Sequence, residues 1–333
     1  MSYLTIVNSV LEVIILLFIA LFVGVLIPGI ERKYVHARIQ QRIGPPVTSS
    51  GLWASIKFLY KENIKPNSPV PGLYKAMPIL CFIVVFLVFI ALLPLSYGFL
   101  AFASLIAIVG FLKVEEIAYV LMGSLSKSVM SAGLRFPDHV KGAERVNTLT
   151  SYIEDISSNR SLRMIAFGSF PLYLALFIPA AMCGSIFLGN IVSYQQVHGP
   201  FLFSLAGVLG TIVFFIGLMI MLNEYPFNIV KAKADVIEGP YMEFASKYRT
   251  FVYVTRGFMI FTLSCLYSVL FLGVAPGLLS LGFIVCIIVA LIFVLFMGVF
   301  SAFSPVFTNR QFYPVVLVSS VIGVVGVILG LLI

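Results

Sequence analysis

A few charged side chains stand inside long apolar stretches of the sequence, and they are its best candidates for chemistry. Lys113, Glu115 and Glu116 interrupt one such stretch, and Glu224 ends another. Ionisable groups are costly at membrane depth and are usually retained there for function. Carboxylates that lie close together share protons, so these residues predict a path for protons or other cations.

Acidic residues further along the chain extend this predicted path. Asp235 and Glu238 are three residues apart and would share one face of a helix, and Glu243 follows them. Packed near Glu115 and Glu116, they would form a buried carboxylate cluster. Such a cluster would suit a proton relay.

More ordinary interpretations compete with the relay. Lys113 and Glu116, at positions i and i+3, would neutralise each other, and Glu243 with Lys247 would form a surface ion pair. Glu12 is a single carboxylate in the first apolar stretch, where a structural hydrogen bond or a neighbouring chain explains it as well as ion conduction does.

The sequence predicts no metal site. Its cysteines are isolated inside apolar runs, its histidines are scattered, and no pair has the spacing of metal ligands. These residues are Cys81, Cys183, Cys265, Cys286, His36, His139 and His198. We therefore expect the chain to bind no metal or cofactor.

Composition identifies the medium that surrounds these residues. Hydrophobic residues make up 61% of the 333 and charged residues only 10%, whereas soluble proteins carry roughly 25% charged residues. Lipid must therefore cover most of the surface. The net charge of +8 is spread over a few loops, which argues against a nucleic-acid footprint.

Apolar windows of about 20 residues, long enough to cross a bilayer, predict an all-α protein with about eight transmembrane helices. The windows are Leu4–Ile27, Met77–Leu95, Phe99–Gly123, Leu162–Leu188, Phe201–Leu222, Phe251–Gly273, Leu278–Phe303 and Tyr313–Ile333. The third window contains the charges at 113–116 and could instead lie over Leu112–Phe136. The first lacks a preceding basic region and is too long for a signal peptide.

The positions of the basic residues predict the orientation. Apart from Lys113, they lie in or beside alternate connections between windows, and the remaining connections and both termini have none. By the positive-inside rule both termini face outward and the long loops face the cytoplasm. The chain would be one membrane domain, residues 1–333, with cytoplasmic loops at about 28–76, 124–161 and 223–250.

The first cytoplasmic loop predicts a short amphipathic helix at the membrane interface. In Gly51–Glu62 the apolar residues have helical spacing, and Trp53 is the only tryptophan of the chain. Prolines on both sides of this segment would keep its helix separate from the neighbouring spans.

The order of residues in this loop resembles that of a known family. It runs Glu31-Arg32-Lys33, Ala37-Arg38, Gln41-Arg42 and Gly44-Pro45, followed by Lys61-Glu62 and Pro66. This resembles subunit 1 (also designated H) of NADH dehydrogenase, the respiratory complex I. The family includes the matching subunits of membrane-bound hydrogenases and of their sulfur-reducing relatives.

Two further segments support the resemblance. Pro226-Phe227-Asn228 is similar to the Pro-Phe-Asp of the family, and it is followed by acidic residues and by Glu243-Phe244-Ala245-Ser246. Ser158-Asn159-Arg160 is a weaker match to a Ser-Arg pair. The predicted spans agree with the family along essentially the whole chain.

The sequence also departs from the family where quinone-linked members carry Glu-Thr-Asn-Arg before Pro-Phe-Asp. Residues 221–228 read Met-Leu-Asn-Glu-Tyr-Pro-Phe-Asn, so the Glu, the Arg and the Asp are all changed. The loop Ser124–Asn159 is also atypical. These departures favour the hydrogenase and sulfane reductase branch, whose electrons go to protons or sulfur, over a quinone-site subunit.

The resemblance implies a non-catalytic subunit of the cell membrane that anchors a peripheral electron-transfer arm to an ion-pumping membrane arm. Iron–sulfur clusters, and a nickel–iron centre in the hydrogenase branch, would belong to partners: peripheral iron–sulfur and hydrogenase-like subunits, beside antiporter-like membrane subunits. The predicted docking residues are Glu31, Arg32, Lys33, Arg38, Arg42 and Arg160. The predicted ion-pathway residues are Lys113, Glu115, Glu116, Glu224, Asp235, Glu238 and Glu243.

Two other classes of protein remain open at the level of sequence. A stand-alone cation-coupled transporter could use the same carboxylates, although we find no internal repeat and no symmetric broken helices. A purely structural anchor would instead keep the acidic residues as satisfied ion pairs. Neutral isosteres of the carboxylates would separate the two, because only a relay would lose ion translocation.

Overall fold

The computed structural model describes residues 3–62, 68, 70–98, 101–126, 152–231, 238–278 and 280–332. Within these ranges the chain is almost entirely helical, which confirms the predicted all-α membrane fold. The helices are α1 Tyr3–Ile30, α2 Ala54–Tyr60, α3 Pro71–Ala91, α4 Leu105–Ser124, α5 Tyr152–Phe167, α6 Phe170–Cys183, α7 Leu188–His198, α8 Leu205–Met221, α9 Ser246–Tyr267, α10 Leu281–Phe303 and α11 Asn309–Leu332.

Six helical segments are long and apolar enough to cross a membrane. They are Val10–Ile39, Pro71–Ala91, Ile156–Cys183, Ser246–Leu272, Leu281–Phe303 and Asn309–Leu332. Two further helices match the remaining predicted windows: α8 is apolar but shorter, and α4 carries three charged residues. The count of eight spans and the outward termini stay predictions.

Serine side chains fix where three of the helices begin. Ser104, Ser204 and Ser280 each precede a helix, and each hydroxyl accepts a hydrogen bond from a backbone N–H of the first turn. These caps satisfy groups that the helix itself leaves unbonded. The third span accordingly begins at Leu105, not at Phe99, and its helix ends at Ser124, which excludes the alternative window Leu112–Phe136.

The predicted fourth span, Leu162–Leu188, differs from the structure. The segment is broken at Gly168–Ser169 into α5 and α6, and α6 ends at Cys183 because Gly184 adopts a left-handed conformation. Pro171 in the first turn of α6 has no N–H to continue the preceding helix. Leu188 instead opens the separate helix α7.

The bundle is built around α9, which packs against α1, α2, α3 and α10. At the crossing with α1, a Cβ on Gly24 would lie 2.8 Å from Phe258 Cα, so only glycine permits this approach. On the other side of the molecule α6 packs against α8 and α11. The exposed faces of α1, α10 and α11 are almost wholly apolar, as expected of a lipid-facing surface.

The helix predicted in the first loop is present at Ala54–Tyr60 and is preceded by a π-helical turn at Ser49–Trp53, while its place at the membrane interface stays a prediction. It is attached to the start of α9. Thr250 Oγ1 donates to Ser55 O at 3.2 Å, Ser246 Oγ donates to Glu62 O, and Phe58 stacks on Tyr253 with ring centroids 5.7 Å apart. The loop is therefore a fixed part of the bundle.

Candidate functional site

A small cavity lies where α4, α5, α9 and the segment after α8 meet. Its volume is about 70 Å³. Apolar side chains form part of its wall, and the polar residues that complete it are Glu115, Glu116, Tyr119, Ser161, Ser169, Asn223, Lys231, Tyr241, Thr255 and Arg256. Two carboxylates and two cations thus surround one space inside a membrane protein.

Glu116 lies on the side of the cavity where the chain breaks between α5 and α6. Lys113 Nζ donates to Glu116 Oε2 at 2.7 Å, and Tyr173 OH donates to the same oxygen at 3.3 Å. Lys113 also donates to Ser169 Oγ at 3.0 Å and to Ile165 O at 3.3 Å. The ion pair between Lys113 and Glu116 that the sequence left open is therefore present.

Glu115 is buried in a different setting. Its side chain lines the cavity, and the described part of the chain offers it no ion-pair partner within 4.0 Å. A carboxyl group enclosed in this way is expensive to ionise unless a nearby cation or water compensates. Glu115 is therefore the acid at this site that is freest to change its protonation state.

Glu224 is buried at the end of α8 and forms an ion pair with Arg256 of α9. Burial raises the pKa of Glu224 above its ordinary value; the charge of Arg256 opposes this rise, and the carboxylate of Glu31 adds to it. The two residues join the segment after α8 to the central helix by charge.

Lys231 lies between two aromatic rings of the cavity wall. Its Nζ is 5.7 Å from the ring centroid of Tyr119 and 5.2 Å from that of Tyr241. Burial, together with the charge of Arg256, lowers the pKa of Lys231. Burial alone would raise the pKa of Tyr241, but the charges of Lys231 and Arg256 lower it below its ordinary value. The protonation of each of these groups therefore depends on the charges of the others.

Two further predicted pathway residues, Glu238 and Glu243, do not line the cavity. Glu238 pairs with Arg249, and its side chain is 44% exposed. Glu243 is half-buried and lies outside the cavity wall. Asp235 falls outside the described residues, so its expected alignment with Glu238 stays a prediction.

Of the ten polar residues in the wall, only Glu115 and Glu116 were predicted, and the ionisable ones that were missed are Tyr119, Lys231, Tyr241 and Arg256. Lys231 and Arg256 were interpreted from the sequence only as indicators of topology. Arg256 lies just inside an apolar window, and this position was the signal that could have identified it, whereas Lys231 lies nine residues beyond the end of the preceding window.

The predicted docking residues separate into an exposed group and a more enclosed group. Arg32, Arg38 and Arg42 are exposed around the turn that follows α1. Lys33 lies over the ring of Tyr34. Arg160 lies on α5, where its Nη1 donates to Ile229 O at 3.4 Å.

Glu31, the acidic member of that set, faces inward and contacts His36. In the described residues no three His, Cys, Asp or Glu side chains gather as metal ligands would.

Comparisons with known proteins are consistent along the chain. Residues 11–133 and 154–330 match the family described as NADH dehydrogenase. An uncharacterised protein of Methanocaldococcus jannaschii is 43% identical over 94% of this chain and 95% of its own length. An NADH-quinone oxidoreductase subunit of Bacillus mycoides is 26% identical over 76% of this chain and 71% of its own.

A solved structure is similar in fold. A chain of the membrane-bound sulfane sulfur reductase, an archaeal respiratory membrane complex, superimposes with a TM-score of 0.78. It is 25% identical in sequence, and the match covers 97% of this chain and 99% of that chain.

Proposed function

The chain belongs to the NADH dehydrogenase family, as a homologue of its membrane subunit 1, and from this membership we propose that it couples electron transfer to ion translocation. It would anchor a peripheral electron-transfer arm to the membrane arm of a multi-subunit respiratory complex. The cell membrane is the proposed location, with several spans crossing it.

The observation that carries the proposal is the cavity in which Glu115 has no ion-pair partner among the described residues, while Glu116, Lys231 and Arg256 surround it. A purely structural polar cluster would be expected to pair every charge, since an uncompensated buried charge is destabilising. An acid beside a small polar cavity can instead take up and release a cation. A proton or a sodium ion would suit the carboxylates.

The contacts of α9 suggest how electron transfer would reach the cavity. The first loop, with the exposed Arg32, Arg38 and Arg42, would bind the peripheral arm through charge-assisted contacts. Because α2 is attached to α9 at Ser246 and Thr250, a displacement of the loop would alter the geometry of the ion pair between Arg256 and Glu224. Coupled ionisable neighbours would then respond by changing their protonation.

The proposed partners are peripheral iron–sulfur and hydrogenase-like subunits and antiporter-like membrane subunits. The redox centres, iron–sulfur clusters and in the hydrogenase branch a nickel–iron centre, would belong to those partners. The similarity to the sulfane sulfur reductase chain supports protons or sulfur compounds as the electron acceptor. The family's Arg before Pro-Phe-Asp is replaced here by Glu224, which pairs with Arg256, and this argues against a quinone site of the usual kind.

Two measurements test the proposal, beginning with gentle detergent purification of the tagged chain and identification of its partners. Iron–sulfur subunits and antiporter-like proteins are expected to co-purify. A chain that emerges alone, intact and monodisperse would contradict the coupling function and favour a stand-alone transporter.

The second measurement uses membrane vesicles that contain the whole complex and compares Glu115→Gln with Glu62→Gln. Glu62 is an exposed carboxylate outside the cavity. Glu115→Gln is expected to assemble normally but to lose ion translocation per electron transferred, whereas Glu62→Gln keeps it. If Glu115→Gln translocated ions as the wild type does, the relay would be rejected and the chain would be a structural anchor.

A further inference from the structure

The backbone that follows α1 has an unusual form at its cytoplasmic end. The α-helix of Tyr3–Ile30 continues as a π-helical turn over Glu31–His36 and ends in a short α-helical stretch, Ala37–Ile39. Such turns interrupt regular helices and are frequent at functional sites. The turn lies in the first cytoplasmic loop, where the resemblance to the family is strongest.

The π-helical turn brings two ionisable side chains into contact. His36 Nε2 lies 3.1 Å from Glu31 Oε1. In a regular α-helix residues five apart point about 140° away from each other, whereas the wider turn, closed by i to i+5 bonds, aligns them. The pair therefore exists because of the altered helix geometry.

The pair spans the boundary between solvent and the interior. The side chains of His36 and Glu31 are 20% and 18% exposed, so each has an edge in water. Inside, the turn packs against α10, where a Cβ on Gly298 would lie 3.4 Å from Glu31 Cγ. The carboxylate of Glu31 also acts electrostatically on Glu224, which lies at the cavity end of α8.

We propose that His36 and Glu31 form a proton-uptake site on the cytoplasmic side that supplies the buried path through Glu224. This inference rests on the proposed function. In the transfer, His36 Nδ1 accepts a proton from a hydronium ion, which leaves water, as the Nε2–H bond breaks and the Nε2 proton forms an O–H bond on Glu31 Oε1. Glu31 then passes this proton inward to the carboxylate of Glu224 and returns to its own carboxylate form. Loss of the Nδ1 proton to solvent and return of a proton to Nε2 restore His36 to its first tautomer.

The charges around the pair allow this transfer. Arg32 on the same turn is exposed, and Lys33 lies over the ring of Tyr34. Glu224 is already paired with Arg256, and α10 brings no charged side chain to the turn. Both ring nitrogens of an imidazole can carry a proton, so His36 can accept one from solvent at one nitrogen while it gives up another from the opposite nitrogen.

The experiment measures translocation per electron in vesicles that contain the whole complex. His36→Gln keeps a hydrogen bond to Glu31 but cannot relay a proton. The matched control is His198→Gln, which makes the same exchange at an exposed histidine of α7. The control is expected to translocate as the wild type does, whereas His36→Gln is expected to lose roughly tenfold of the translocation per electron, a conservative figure for a positioned proton carrier.

A second variant, Glu31→Gln, is expected to behave in the same way. If both variants keep the translocation of the wild type, the uptake site is wrong. Translocation of sodium ions in place of protons would also overturn it. Glu115→Gln tests the coupling function separately. If translocation is lost in Glu115→Gln but kept in His36→Gln and Glu31→Gln, the uptake site is rejected and the coupling function is not.

Discussion

The bundle buries polar groups in two regions along α9, and it satisfies them in different ways. Near the start of α9, charged residues surround the cavity at Glu115. Beyond its other end, the uncharged Gln195 of α7 bonds the turn that follows α9: its Nε2 donates to Val269 O at 3.2 Å and to Leu270 O at 3.0 Å. Gln195 Oε1 also accepts from Phe201 N at 3.3 Å.

The difference separates a structural network from a functional one. Gln195 holds a broken stretch of backbone together with no charge and with both of its polar atoms bonded. In the cavity the Thr255 hydroxyl is buried without a partner among the described residues, and Glu115 lacks an ion pair. Incomplete bonding costs stability, and its place at the cavity agrees with the ion path proposed there.

The largest effect on stability is expected where a substitution would leave a buried charge without its ion-pair partner. Arg256→Met removes the partner of buried Glu224 and should lower the free energy of unfolding in detergent by about 3 kcal/mol, the lower end for a broken buried pair because Arg256 keeps some exposure. The double variant with Glu224→Gln should recover most of the loss. If Arg256→Met alone were as stable as the wild type, the ion pair between Arg256 and Glu224 would contribute little to the free energy of unfolding.

A smaller loss is expected in the uncharged network. Gln195→Leu leaves three backbone groups without their partner and should cost roughly 2 kcal/mol, since each stranded group costs about 1–3 kcal/mol before relaxation. The neighbouring exposed Gln196→Leu should change the unfolding free energy by under about 0.5 kcal/mol. Both glutamine variants should keep normal ion translocation per assembled complex. If Gln195→Leu lost translocation, the uncharged network could no longer be called purely structural.

The smallest effect on stability is expected for Thr255→Val. Its hydroxyl has no partner among the described residues, so the isosteric change should alter the unfolding free energy by under about 0.5 kcal/mol. Thr250→Val, on the same helix, removes a bonded hydroxyl and should cost roughly 1 kcal/mol. The matched control for translocation is Thr262→Val, which removes another buried hydroxyl of α9 that has no partner among the described residues and lies outside the cavity wall. Thr255→Val should slow translocation and Thr262→Val should not, and an equal rate in these two variants would remove Thr255 from the path.

The sequence predicted one of these two regions and not the other. Glu115 and Glu116 were identified because a charge inside an apolar window stands out against its neighbours. Gln195 carries no charge, and its role depends on backbone carbonyls more than 70 residues away, a relation that no local pattern contains. Arg256 and Lys231 were visible as charges, but only the fold places them opposite the carboxylates.

Some helix boundaries were likewise predicted from the sequence, and one was not. Apolar length predicted the approximate limits of α4, α8 and α10, whereas the serine caps that fix where these helices begin were not used. The break at Gly168–Ser169 was missed because the window was assigned by hydrophobicity, which does not distinguish one long helix from two. Close packing explains the glycine: a Cβ on Gly168 would lie 2.8 Å from the side chains of Ile220 and Phe312.

That break has an electrostatic consequence for Lys113. Its ammonium group bonds Ile165 O, one of the last carbonyls of α5, and the unbonded carbonyls at a helix C-terminus carry roughly half a negative charge. Lys113 therefore has two negative partners, the dipole of α5 and the carboxylate of Glu116. When Glu116 takes up a proton, the helix dipole continues to compensate the lysine, so Glu116 can alternate between its charged and neutral forms without stranding a cation inside the membrane.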